Sequence, residues 1–220
     1  MLSKHNSNQR DQLEIITLDQ LVPANHLVRK MEASIDFTFI YDLVIVMYSE
    51  VGRPSIDPVI LVKLTFIQFT FGIRSMRKTI EEVETNMAYR WFLGYGFHDK
   101  VPHFSTFGKN YERRFKDTDL FEQIFYRILM TAAERKLISA KHIFVDSTHV
   151  KANANKRKFE KKIVRKETIE RVFADAKEKH GMRWTTLRGL KKLSMQAMLT
   201  FAAINLKKMA TWTWKGPKMA

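Results

Sequence analysis

Between the punctuation of Asp57-Pro58 and Gly72 the sequence is apolar on almost every face of a helix, and such a helix is stable only with neighbours on all sides. Asp57 supplies a capping carboxylate and Pro58 suits the first helical position. Val59 to Phe71 is interrupted by Lys63 and Gln68, and a second greasy stretch, Leu193 to Leu206, by Gln196 and Asn205. Both are too short and too polar to cross a bilayer, so both are expected as buried helices, the first at the centre of an N-terminal core.

The flanking segments read as the layer that covers it. Asn25 is expected to cap a short helix carrying His26, Leu27, Met31 and Ile35, and a second helix runs from about Phe37 to Val51. Ile80, Val83, Met87 and Trp91 recur at threes and fours, which predicts one amphipathic helix from Thr79 to about Phe92, stopped by Gly94-Tyr95-Gly96. Ser105 is expected to cap the next helix, which carries Lys109, Asn110, Arg113 and Arg114. Two helices joined by a glycine-bearing turn are consistent with a helix-turn-helix that reads DNA, and equally with a bundle hairpin that has a basic surface. Asp119 and Glu122 predict a capping box ahead of a long helix whose Phe and Leu stripe, from Leu120 to Leu137, is core.

The helical pattern then stops. Ile143, Phe144 and Val145 predict a short buried strand that delivers Asp146 to its end. An acid so placed is a rigidly held oxygen ligand for a divalent cation, or else the first residue of a turn with Ser147 and Thr148. The residues from His149 to Asn153 are compatible with a return strand, and Lys151 to Lys166 contains eight basic residues against one acid, Glu160. Thr168 is expected to cap a helix from Ile169 to Lys179, on which Glu170 and Lys177 share a face. Gly181 ends it, and the last helix runs from Leu190 to about Met209.

The formal charge of +15 is unevenly distributed. Residues 1–135 hold 17 Lys and Arg against 17 Asp and Glu, whereas 136–220 hold 21 against 6. Such asymmetry points to a polyanion, above all nucleic acid, or more plainly to a solvated basic face. Candidate phosphate contacts are Lys109, Arg113 and Arg114 on the helix, Lys151, Lys156, Arg157 and Lys158 in the basic run, and Arg183 beyond it. With 45% hydrophobic and 12% aromatic residues the chain has enough material for a core. It has no cysteine, which excludes disulfides and thiolate metal sites, and the polar N-terminus shows no signal peptide, so a cytoplasmic protein is expected. His98, His103, His142, His149 and His180 lack paired ligand spacing, and no glycine-rich phosphate loop is present.

Phe144-Val-Asp-Ser-Thr-His-Val-Lys-Ala-Asn, together with Ile169-Glu-Arg-Val-Phe-Ala-Asp-Ala-Lys-Glu-Lys-His-Gly-Met-Arg, resembles the bacterial insertion-sequence transposases of the DDE type. Leu21 to Phe115, with Gly-Arg-Pro at 52–54 and His-Phe-Ser-Thr-Phe at 103–107, is similar to the InsH-type N-terminal domain that precedes the catalytic part in such enzymes. The resemblance implies a mainly α chain: a helical N-terminal domain over 1–116, then over 117–220 a fragment of an α/β catalytic domain resembling ribonuclease H. It implies DNA as partner, in the form of transposon terminal repeats, with a homo-oligomer or pairing with an intact transposase, and no membrane. It also implies three acids holding two Mg²⁺ ions, one activating the attacking oxygen and one steadying the leaving oxygen. Asp146 matches the first acid and Glu170 the last, as both catalytic and metal-binding residues, and Lys177 would contact phosphate near them.

The middle acid has no counterpart. After Asp146 the only Asp is Asp175, five positions past Glu170 and so about 140° around the helix. Only 23 residues separate Asp146 from Glu170, where the fold needs roughly 60 or more for its strands, helices and loops. An internal block is therefore expected to be missing, with its junction in Lys161 to Thr168. Such a chain is expected to be catalytically incomplete, a remnant that keeps DNA affinity.

Overall fold

A computed structural model describes residues 13–49, 51, 55–137, 166–183, 185 and 187–214, with the backbone alone for 166–171. Among these residues every regular element is helical, as the mainly α expectation requires. In chain order they are α1 (Leu18–Leu21), α2 (Leu27–Ser34), α3 (Phe39–Val44) with a 3-10 turn at Ile45–Met47, α4 (Pro58–Thr70), α5 (Met76–Thr85), α6 (Met87–Leu93), α7 (Ser105–Asn110) with a π turn at Tyr111–Phe115, α8 (Leu120–Glu134), α9 (Lys166–Lys179) and α10 (Leu190–Thr213). The strand expected at Ile143-Phe144-Val145 and its return to Asn153 lie outside the described residues.

α4 is the central helix that its composition demands. The Asp57 side chain accepts the Val59 N–H at 2.7 Å, Pro58 opens the first turn, and Leu61 through Ile67 are all buried. The one cation in that run is neutralised where it stands. Lys63 Nζ donates to the two Glu32 carboxylate oxygens at 2.8 and 2.7 Å and to the Phe92 carbonyl at 3.0 Å, and it lies over the Phe37 and Phe92 rings. Burial of this charge is tolerable because each of its donors has an acceptor or a ring face.

α10 closes the other side. Met195, Leu199, Ala202, Ala203, Leu206, Met209 and Ala210 recur at threes and fours along it, and they join one hydrophobic core with Met31 of α2, Phe66 and Ile67 of α4, and Ile124 and Ile128 of α8. The paired alanines let neighbouring helices approach closely. Helices on both sides of residue 116 thus share a single apolar interior. α9 leans on the same body: Phe173 meets Phe201 edge to face at 5.9 Å, Ala176 is fully buried, and His180 reaches the Phe69 carbonyl.

Several boundaries differ from expectation, each for a local reason. The helix predicted from Thr79 to Phe92 is two helices, because the Asn86 side chain ends α5 and caps α6 by accepting from the Ala88 and Tyr89 N–H groups at 3.0 and 3.3 Å. α2 is capped by His26, whose Nδ1 accepts the Val28 N–H at 3.3 Å, and not by Asn25. Asp119 precedes α8 but forms no box with Glu122; its carboxylate takes the Gln123 amide at 2.7 Å. Ser105 and Thr168 fall inside their helices, α3 and its 3-10 turn stop at Met47, and α10 continues to Thr213.

Candidate nucleic-acid interface

α7 runs directly into the π turn, where the Lys116 N–H reaches the Tyr111 carbonyl, five residues back, at 2.9 Å. Such widened turns recur at functional sites. One face of this continuous rod is aromatic: Phe107, Tyr111 and Phe115 surround Phe121 of α8 with centroids 6.3, 6.1 and 6.1 Å away. Thr106, Lys109, Asn110, Arg113 and Arg114 keep a second three-and-four spacing and line a cavity of about 520 Å³ together with Ser55 and Ile56. The connection from α6, residues 94–104, is longer than the three- or four-residue turn of a helix-turn-helix, and Arg90 organises it by donating to the Gly96 and Asp99 carbonyls.

Arg114 is held in place within this face. Its guanidinium donates to Asn110 Oδ1 and lies over the Tyr48 ring, 4.4 Å from the centroid, while Asn110 Nδ2 donates to the Thr106 carbonyl at 3.0 Å. Both ends of the buried Asn110 amide are engaged, so its orientation and that of Arg114 fix one another. The Tyr48 hydroxyl is buried, with Ser55 beside it. Burial pushes that phenol up from its usual value, with the Arg114 charge and the Ser55 hydroxyl acting in the opposite direction.

The neighbouring acids are already occupied. Glu112 receives Lys192 at 2.5 Å and Lys116 at 3.3 Å, and Asp117 receives Lys191 at 2.7 Å. Hydrogen bonds from these lysines hold both carboxyls below the usual carboxylate range. Lys109, Arg113 and Arg114 have no carboxylate partner among the described residues, so their charge faces the cavity uncompensated. A second cavity, of about 620 Å³ between α3 and α8, is the electrostatic opposite: Asp42, Asp119, Glu122 and Glu134 line it against Arg127 alone. It would repel a phosphate.

Of the residues predicted from sequence to contact phosphate, the structure brings Lys109, Arg113 and Arg114 to one cavity. Lys177 is exposed on α9, and Arg183 is engaged by Glu178. Asp146, Lys151, Lys156, Arg157 and Lys158 lie outside the described residues, as does the Glu170 side chain. Sequence reasoning did not single out Tyr48, Ser55 or Thr106, and did not give Asn110 its positioning role. The i, i+4 series Thr106, Asn110, Arg114 was the available signal for two of them.

The described residues define a helical body that presents a preorganised cationic face. The chain matches the family model Transposase domain (DUF772) over residues 16–113 and the family model Transposase DDE domain over residues 130–210. The two matched segments together span most of the chain and support an insertion-sequence transposase of the DDE type. No curated protein and no solved structure matches the chain. The family implies DNA as partner and a divalent cation as cofactor. Among the described residues no group of three or more histidines and acids is placed to hold a cation, and Asp175 is bound by Lys179 at 2.8 Å. The candidate ligands, Asp146 and the Glu170 side chain, lie outside the described residues. Among the described residues, too, no helix is long and apolar enough to cross a membrane.

Proposed function

We propose that this chain is an insertion-sequence transposase derivative, with an InsH-type head, that lacks the middle acid and the strands presenting it, and that it acts as a DNA-binding protein without strand cleavage or transfer. Residue 116 then marks the join between the ancestral head and the shortened catalytic part. Asp146 and Glu170 are two of the three Mg²⁺ ligands, too few to hold a pair of hard cations. Binding rests on Lys109, Arg113 and Arg114, with Lys151, Lys156, Arg157, Lys158, Lys177 and Arg183 adding charge along the last third. The protein would occupy transposon terminal repeats or pair with an intact transposase.

The observation that supports this reading most is the shared core. Helices before and after the inferred gap pack on one another, so a protein lacking the block still has a closed interior. The test is a gel shift on terminal-repeat DNA across a salt series, alongside a nicking assay in Mg²⁺ or Mn²⁺. Affinity should fall at least about tenfold between roughly 50 and 200 mM salt, with no nicked or joined product. Cleavage that disappears in Asp146→Ala would show the chain to be an active enzyme.

A further inference from the structure

Resting on that DNA-binding reading, we propose that the cavity beside α7 is a site for a phosphomonoester dianion, which in DNA means a strand-terminal phosphate. Three cations, Lys109, Arg113 and Arg114, line one concave space that no acid among the described residues lines, and the nearest acids in sequence, Glu112 and Asp117, are taken by other lysines. A backbone diester carries one negative charge, whereas a terminal monoester carries close to two near neutral pH. A cluster of three cations therefore gains more from the monoester, which relieves more of their mutual repulsion.

Shape points the same way. A phosphate inside a strand has a sugar on both sides and suits an open ridge, while a terminal phosphate has one substituent and can enter a recess. The donors are also preset. Asn110 and the Tyr48 ring fix the Arg114 fork, and a planar fork of this kind matches two phosphate oxygens at once.

The test uses the full chain and three duplexes of one sequence, carrying phosphate at the 5′ ends, at the 3′ ends, or at neither, with binding read by anisotropy. One of the phosphorylated duplexes should bind about tenfold more tightly than the hydroxyl-ended one, the loss expected for one charge-assisted contact. Lys109→Gln/Arg113→Gln, both changes at exposed positions, should remove that margin without lowering the melting temperature. Equal affinity for all three duplexes overturns the proposal and leaves DNA binding intact. If no duplex binds at low salt, inorganic phosphate decides. A rise in melting temperature that the double variant lacks keeps the site as one for free phosphate and removes the DNA reading; no rise removes both.

Discussion

His180 Nδ1 lies 2.7 Å from the Phe69 carbonyl, so the end of α9 is tied to the last turn of α4 across 111 positions of sequence. Gly72 makes the approach feasible. It has φ +68°, and a Cβ there would sit 2.5 Å from the Lys179 carbonyl oxygen. Residue 72 lies in the first matched segment and residues 179 and 180 in the second, so this contact joins the two.

Gly72→Ala should therefore cost more than about 1 kcal/mol, because both the left-handed backbone and the backbone clash oppose a side chain. Hydrogen exchange provides the check. Amides of α9 around Phe173 to His180 should lose protection more than those of α5, and equal loss in both would show that Gly72 does not hold α9.

Acidification should destabilise the protein before any carboxylate titrates. His180 is held below its ordinary value of 6.5 mainly by burial, and His26 is lowered by burial and then by Arg29. The unfolded chain consequently binds more protons than the folded one, so this stabilisation is complete above about pH 6.5 and is lost as pH falls through the depressed folded values. Protonated His26 also cannot accept the Val28 N–H. Melting temperature should decline from pH 7.5 to 5, and His26→Asn/His180→Gln should flatten that slope. The lowered carboxyls of Asp36, Glu112, Asp117 and Asp175 act only at more acid pH, where their protonation removes stability in turn.

Leu199 of α10 is almost fully buried among residues of the head, and Leu199→Ala should cost about 2–5 kcal/mol. Urea unfolding monitored by helical circular dichroism should shift as one transition. Two separated transitions would show that the two matched segments fold independently.

Glu32→Gln should destabilise by about 1–3 kcal/mol, since it leaves the Lys63 charge in the interior without a countercharge, facing a neutral amide oxygen, the Phe92 carbonyl and two ring faces; Glu32 is 40% exposed, which reduces the cost below that of a fully buried pair. Lys63→Met added to Glu32→Gln should recover much of the loss in thermal stability. A double variant weaker than Glu32→Gln would show that the ammonium contributes packing that a thioether cannot replace.

The central position of α4 was readable because an apolar surface on every face leaves a helix no other place. The basic face of α7 was half readable. Lys109, Arg113 and Arg114 announce themselves by charge and spacing, but Tyr48 and Ser55 lie more than fifty positions away, and only the fold brings them alongside. Asn86 escaped notice because the apolar spacing from Ile80 to Trp91 continues in phase across it, while its side chain both ends one helix and starts the next. The placement of α10 was not legible at all. Its sequence says that it is buried but carries no address for the helices it is buried against.

That placement ties the fate of the two matched segments together. α10, near the end of the chain, is wedged against α2, α4 and α8, so the N-terminal helices reach their final packing only once the last helix has been synthesised. A nascent chain halted before Leu190 would leave the apolar flanks of those helices open to water and to chaperones.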